Sequence, residues 1–278
     1  DLSVDLLKFA NLKIEGEMAI VEMSSIAGLC DLKENEKNPW LTSTYGVGQL
    51  LNEANILGVS AILLGIGGSS TNDMGAGALG ALGVEFLNKE GNPVSFPCPE
   101  SWSNIEKIST NNLFSLPPIR IACDVSNHLL GKGGATYQFG PQKGLSFARM
   151  EEMEDRMTSM SEYLCSSFQK PLVSREQQGS GAAGGIGYGL NLAYQAEFVP
   201  GFALTEKWFG LEKAIRKADL ILTGEGRFDS TSLYGKGPYE IIRMASKFNK
   251  KVILLAGSVE KEVEEKCKSE FSDLKIVP

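Results

Sequence analysis

Five polar segments carry the residues that could do chemistry. GIGGSSTNDMGAG, Gly65 to Gly77, follows the apolar run AILL. A strand, a glycine-rich turn and then a helix leave free N–H groups at the turn, where the helix dipole favours an anion. Gly67 and Gly68 let a ligand approach the backbone. Ser69, Ser70, Thr71 and Asn72 add donors, and Asp73 adds a carboxylate suited to Mg²⁺ or to a proton. No Gly-Lys-Ser/Thr follows at Walker spacing, and no clean GxGxxG is present. DVSNHLLGKGGA (Asp124 to Ala135) also follows a strand and holds Asp124 and Asn127. FGPQKG puts Lys143 on a tight turn, and GSGAAGGIGYG (Gly179 to Gly189) reads as a turn entering a closely packed helix. TGEGRFD gathers Gly224, Glu225, Arg227 and Asp229 after a strand, with Lys236 just beyond.

Taken together, these segments supply hard oxygen ligands for Mg²⁺ (Asp73, Asp124, Glu225, Asp229) and cations for phosphate or carboxylate oxygens (Lys143, Arg227, Lys236). That inventory fits phosphoryl transfer, in which catalysis is mostly positioning and charge neutralisation. The expectation is that the segments converge on one pocket. His128 is the single histidine and no GxSxG elbow exists, which leaves a serine triad without its parts.

Elements must hold these loops in place. Short strands are expected at Met18 to Glu22, Ala61 to Leu64, Ile119 to Cys123, Leu220 to Thr223, Lys251 to Ala256 and Leu274 to Val277. Helices are expected at Gln49 to Leu57, from near Met74, and at Leu211 to Lys217, Tyr239 to Phe248 and Val259 to Glu270. Gly28 to Thr44 reads as a loop. From Ser146 to Lys170 a stripe of Phe147, Met150, Met153, Met157, Met160, Leu164 and Phe168 has helical period and belongs against a core. In the last part of the chain, strand and helix alternating at short spacing imply a parallel, doubly wound α/β sheet whose strand ends carry the ligands.

The chain has 278 residues, 42% of them hydrophobic, and a formal net charge of -7. An acidic chain repels nucleic acid and anionic membrane at long range. Five scattered cysteines without a CxxC pair suggest no disulfide framework or zinc cluster and fit a reducing cytoplasm. No apolar run approaches the roughly 20 residues of a membrane span, and no signal peptide is read. The opening on Asp1 suggests that a start was removed.

GIGGSSTNDMGAG, CDVSNHLLGKGGA, FGPQKG, GAAGGIGYG and TGEGRFDSTSLYGK, in this order and spacing, resemble the bacterial glycerate kinase family. VEMSSIAGL and TSTYGVGQL add weaker support. The resemblance implies ATP-dependent phosphorylation of D-glycerate with Mg²⁺, usually to 2-phosphoglycerate, in the cytoplasm. Glycerate and ATP would be the partners, with no nucleic acid or membrane; a homodimer is compatible with it. It implies two α/β domains, one Rossmann- or flavodoxin-like and one inserted. Residues 1–205 would be mostly the inserted domain and 206–278 part of the Rossmann-like one, its N-terminal portion missing. Under it Asp73, Asp124, Lys143 and Arg227 are candidate catalytic residues, and Glu225 and Asp229 candidate metal ligands. Gly67, Gly68, Ser69, Ser70, Thr71, Asn72, Asn127, Gly224 and Lys236 are candidate cofactor-binding residues. The family's Asp-Ser-Phe/Tyr-Lys and Asp-Gly-Gly-Glu-Gly motifs are absent. His128 stands where the family usually has Pro, and Thr231 where it often has Gln. A kinase or phosphatase for another small hydroxy acid, or a non-catalytic binder of nucleotide or small acids, is the alternative.

Overall fold

The computed structural model describes residues 17–233 and 237–278. The fold is mixed α/β with parallel sheets, in two compact units. One extends to Phe198 and the other is Val199–Pro278.

In the first unit, β1 (Met18–Glu22) leads through the short helix α1 (Ser24–Ala27) to α2 (Tyr45–Ile56). β2 (Ala61–Gly65) follows, and its run AILL is buried throughout. Such a run suits a strand with covered faces and a parallel neighbour on each side. β2 pairs in parallel with β1, Ile62 against Ala19, and with β5 (Ile119–Ala122), Leu64 against Ile121. Between β2 and β5 come α3 (Ala76–Ala81) and an antiparallel pair, β3 (Glu85–Leu87) with β4 (Lys107–Ser109). After β5 come α4 (Ala135–Phe139), α5 (Met150–Ser167), α6 (Ile186–Tyr194) and β6 (Glu197–Val199), which completes the sheet order β1-β2-β5-β6.

Two apolar clusters hold this unit. One joins the sheet residues Val21, Ile62, Leu64 and Ile121 to Leu51 of α2 and Leu190 of α6. The other gathers Met153, Met157, Met160 and Leu164 of α5 around Trp40, Leu79 and Tyr188. The methionine stripe is therefore core, as its period predicts. Phe147 is the exception: it lies in a 3-10 turn before α5 and is 81% exposed, because the helix that would turn it inward starts at Met150. The helix expected from Gln49 starts earlier, at Tyr45. Gly46 and Gly48 hide its first turn from a propensity reading. Gly48 is there because α2 crosses α3 closely: a Cβ on it would lie 2.4 Å from the Ala78 carbonyl oxygen.

The second unit contains α7 (Gly201–Phe209), α8 (Leu211–Lys217), β7 (Leu220–Glu225), α9 (Gly237–Lys247), β8 (Lys251–Ala256), α10 (Lys261–Glu270) and β9 (Leu274–Val277). β8 pairs in parallel with β7 and β9. Ile221, Val252, Leu254 and Ile276 of the sheet pack with Ile242 of α9 and Val263 of α10. Strand–helix–strand repeats put the loop after β7 at a carboxyl strand end, where open α/β sheets bind ligands.

Candidate functional site

In the first unit the glycine-rich loop leaves β2 at Gly65 and is pinned along one side. Leu29 donates its N–H to the Gly68 carbonyl at 2.8 Å, and Ser70 donates both its N–H and its hydroxyl to the Ala27 carbonyl at 2.9 Å. The stem that follows is buried: Ser70, Thr71, Asn72 and Asp73 are all below a tenth exposed. Asp73 accepts from the Thr44 N–H and hydroxyl, both at 2.8 Å, and from the Gly75 and Gly77 N–H groups at 3.2 Å. The Thr44 hydroxyl in turn accepts from the Ala78 N–H at 2.9 Å. One carboxylate thus satisfies early donors of α3 and ties them to the start of α2. Burial pushes the Asp73 carboxyl above its usual range, and the hydrogen bonds from Thr44, Gly77 and Gly75 oppose that rise.

Lys143 closes the loop from below. It ends the turn Pro141–Lys143 and is 1% exposed. Its ammonium donates to the Ser69 hydroxyl at 3.0 Å and to the Thr71 carbonyl at 2.6 Å. Burial lowers its pKa to about 7, partly countered by the charge of Asp73.

The turn before α6 forms another wall. Met74 donates its N–H to the Gly184 carbonyl at 2.8 Å. Gly184 has φ +68°, and a Cβ there would lie 2.0 Å from the Thr71 carbonyl oxygen. Glycine is required at this contact, which explains the GAAGG run. The loop after β5 completes the enclosure. Asn127 donates its side-chain amide to the Gly133 carbonyl at 2.7 Å and accepts at its own carbonyl from the Gly181 N–H at 2.9 Å.

These loops enclose a cavity of about 390 Å³. Of the residues singled out from the sequence, Gly67, Gly68, Ser69, Asp124 and Lys143 line it. Ser70, Thr71, Asn72 and Asp73 form the buried stem behind it, and Asn127 braces the neighbouring loop. The sequence reading passed over Leu29, Ile66, Val125, Phe139 and Ala183, which supply apolar lining. All five sit inside the quoted segments, where the polar residues and glycines carry the signal and the apolar ones do not. Thr44, inside TSTYGVGQL, was likewise invisible as the partner of Asp73. A larger surface groove of about 470 Å³ runs along α5 past Trp102 and Tyr163 and includes none of these loops.

The second unit carries the remaining set. Gly224 and Glu225 end β7. The Oε1 atom of Glu225 is buried without a hydrogen-bond partner among the described residues. Arg227, whose side chain is 74% exposed, pairs with Asp229 at 3.1 Å. Fully buried Phe228 anchors the loop between them. Lys236 lies outside the described residues. Among the described residues no three His, Cys, Asp or Glu side chains are grouped as a metal site, and no helix is long and apolar enough to cross a membrane.

The sequence model of the glycerate kinase family matches residues 7–276. This chain belongs to the glycerate kinase family. A glycerate kinase of Haemophilus influenzae is 38% identical to it over 257 residues, 91% of this chain and 67% of that protein. A glycerate 2-kinase of Escherichia coli K12 is 35% identical over 90% of this chain and 65% of its own length. A crystal structure assigned as glycerate kinase 2 of Salmonella typhimurium LT2 superposes with a TM-score of 0.70 at 32% identity, covering 92% of this chain and 72% of that one. The chain thus spans about two thirds of the length of these curated relatives.

Proposed function

We propose that this protein is an ATP-dependent kinase of the cytoplasm that phosphorylates D-glycerate to 2-phosphoglycerate. Family membership supports the substrate, and the relative described as a glycerate 2-kinase supports the position. The observation that carries the reading is the enclosure of one cavity by the Gly67–Ser69 turn, Asp124 and buried Lys143.

In the reaction, the C2 hydroxyl oxygen forms a bond to the γ-phosphorus and the bridge between the β- and γ-phosphates breaks. Asp124 accepts the hydroxyl proton, being the carboxylate on the cavity lining. Asp73 is a positioning residue: both its oxygens are engaged by Thr44, Gly75 and Gly77, away from solvent. Arg227, in the loop of the second unit, would offset phosphate charge, and Lys236 keeps that role from the sequence alone. Glu225 and Asp229 would hold Mg²⁺, the Oε1 of Glu225, buried without a partner among the described residues, offering a hard oxygen ligand. The metal, when bound, neutralises phosphate oxygens.

A coupled assay of ADP release over a panel of small hydroxy acids tests this, with the product resolved by phosphorus NMR. D-glycerate-dependent release yielding 2-phosphoglycerate is expected. Preference for another acid, or nucleotide binding without release, would replace the reading with one of its alternatives.

A further inference from the structure

A half-buried carboxylate outside the five polar segments reaches into one of them. Glu154 lies on α5 between Met153 and Met157, at the border of the stripe that faces the core. Its Oε1 accepts the N–H of Gly131, in the loop between β5 and α4. Its Oε2 is buried and has no hydrogen-bond partner among the described residues. An acceptor buried unfilled is destabilising. The compensating interaction is the bond to Gly131, which a carboxylate makes stronger than a neutral oxygen would.

That bond acts on the segment from Asp124 to Lys143, whose two end residues both line the cavity. The first half of the segment is tied to turns that precede α6. The Leu129 N–H donates to the Arg175 carbonyl at 3.2 Å, and the Asn127 carbonyl accepts from Gly181. The second half is wound into α4 and the turn to Lys143. Gly140 donates its N–H to the Thr136 carbonyl at 2.9 Å, and Lys143 donates its own to the Gly140 carbonyl at 3.0 Å. Between the halves lies an exposed tip, Gly131, Lys132 and Gly133. Gly131 has φ +86°, and a Cβ on it or on Gly133 would meet nothing within 4 Å, so on that side no packing holds the tip. The Gly131, Lys132 and Gly133 carbonyls accept from Gly134, Gln138 and Asn127, all within the segment. Among the described residues, the bond from Gly131 to Glu154 is the hydrogen bond that ties the tip to another element.

We propose that Glu154 is a positioning residue for the reaction: by holding the Gly131 N–H it fixes the bend of the segment whose ends present Asp124 and Lys143 to the cavity. Its part in turnover rests on the kinase reading; the anchoring of the loop does not. A reacting group misplaced by about an ångström costs on the order of a hundredfold in rate, so one bond at the bend is enough to show in turnover.

The test uses the intact protein and the variants Glu154→Ala, Glu154→Gln and Glu154→Asp. Hydrogen exchange read by mass spectrometry follows residues 126–139, scanning fluorimetry follows the melting temperature, and ADP release gives kcat and the KM for ATP. In Glu154→Ala, exchange over 126–139 is expected to rise while β2 and α6 keep the parent's rates. The kcat with D-glycerate should fall about tenfold or more, with the ATP KM within about threefold of the parent. Glu154→Gln keeps an acceptor in place and should recover most of both losses. Glu154→Asp keeps the charge, shortens the reach and should behave as Ala does. If Glu154→Ala does not fold, the contrast between Gln and Asp decides. Unchanged exchange over 126–139 overturns the anchor. A lower melting temperature with parental kcat, or a Gln variant as impaired as Ala, overturns the positioning role. Faster exchange with parental turnover would keep the kinase reading and remove Glu154 from it. Absence of ADP release from the parent would sink the kinase reading, and the exchange rates alone would then decide the anchor.

Discussion

At the scale of single residues, the site concentrates cost in Lys143. An ammonium taken out of water is destabilising unless paired, and here its direct partners are a hydroxyl and a carbonyl. Its folded-state pKa, about 7, lies below the ordinary 10.5. Between those values the unfolded chain binds more protons than the folded one. Stability therefore rises with pH across that window, by up to about 1.4 kcal/mol per unit from this group. Lys143→Met removes the group and the slope with it. Urea unfolding at steps from pH 6 to pH 10 should show the parent gaining on the Met variant above pH 7. Parallel curves for the two proteins would mean that the lysine is not held in this way. Asp73 is coupled to this lysine by charge, so the comparison reads the pair together. A buried cation that weakens the fold at neutral pH is the kind of feature that function retains and stability alone does not.

At the scale of elements, the turn before α6 is the part on which the glycine-rich loop rests. Gly184→Ala puts a methyl group 2.0 Å from the Thr71 carbonyl oxygen at a left-handed φ. A loss of more than about 1 kcal/mol is expected. Because Thr71 also receives Lys143, the variant should raise the KM for D-glycerate before it affects that for ATP. Equal effects on both would detach this turn from the acid. Much of this scaffold was legible in the chain. AILL announced a buried strand through a continuous apolar run, IRIA and KVILLA announced strands, and the α5 methionines announced a core-facing helix through their period. Residues of the glycine-rich motifs line the cavity of the first unit. What stayed hidden depends on distance along the chain. Thr44 and Asp73 are 29 residues apart, and no local pattern says that the carboxylate is used up there and not on a ligand. The start of α2 was masked by glycines whose reason is α3, and Phe147 by a helix that begins three residues later than its stripe. Short strands such as β3 and β4, three residues each, carry too little period to be read.

At the scale of the whole molecule, the fold rests on apolar burial. Three clusters of buried side chains account for the core of the two units. All five cysteines are free thiols, and no group of three metal-ligating side chains exists among the described residues. Metal should therefore matter to turnover and not to folding. A chelator such as EDTA is expected to abolish glycerate-dependent ADP release, because the phosphate oxygens then lose the charge that Glu225 and Asp229 are proposed to hold in place. The same chelator, alone or with dithiothreitol, should leave the melting temperature within about a degree, since no three metal-ligating side chains are grouped among the described residues and all five cysteines are free thiols. Scanning fluorimetry and the release assay on one sample separate the two effects. A melting temperature that falls by several degrees with EDTA would assign the metal a structural place, and it would move Glu225, with its buried unpartnered oxygen, from the chemistry to the scaffold.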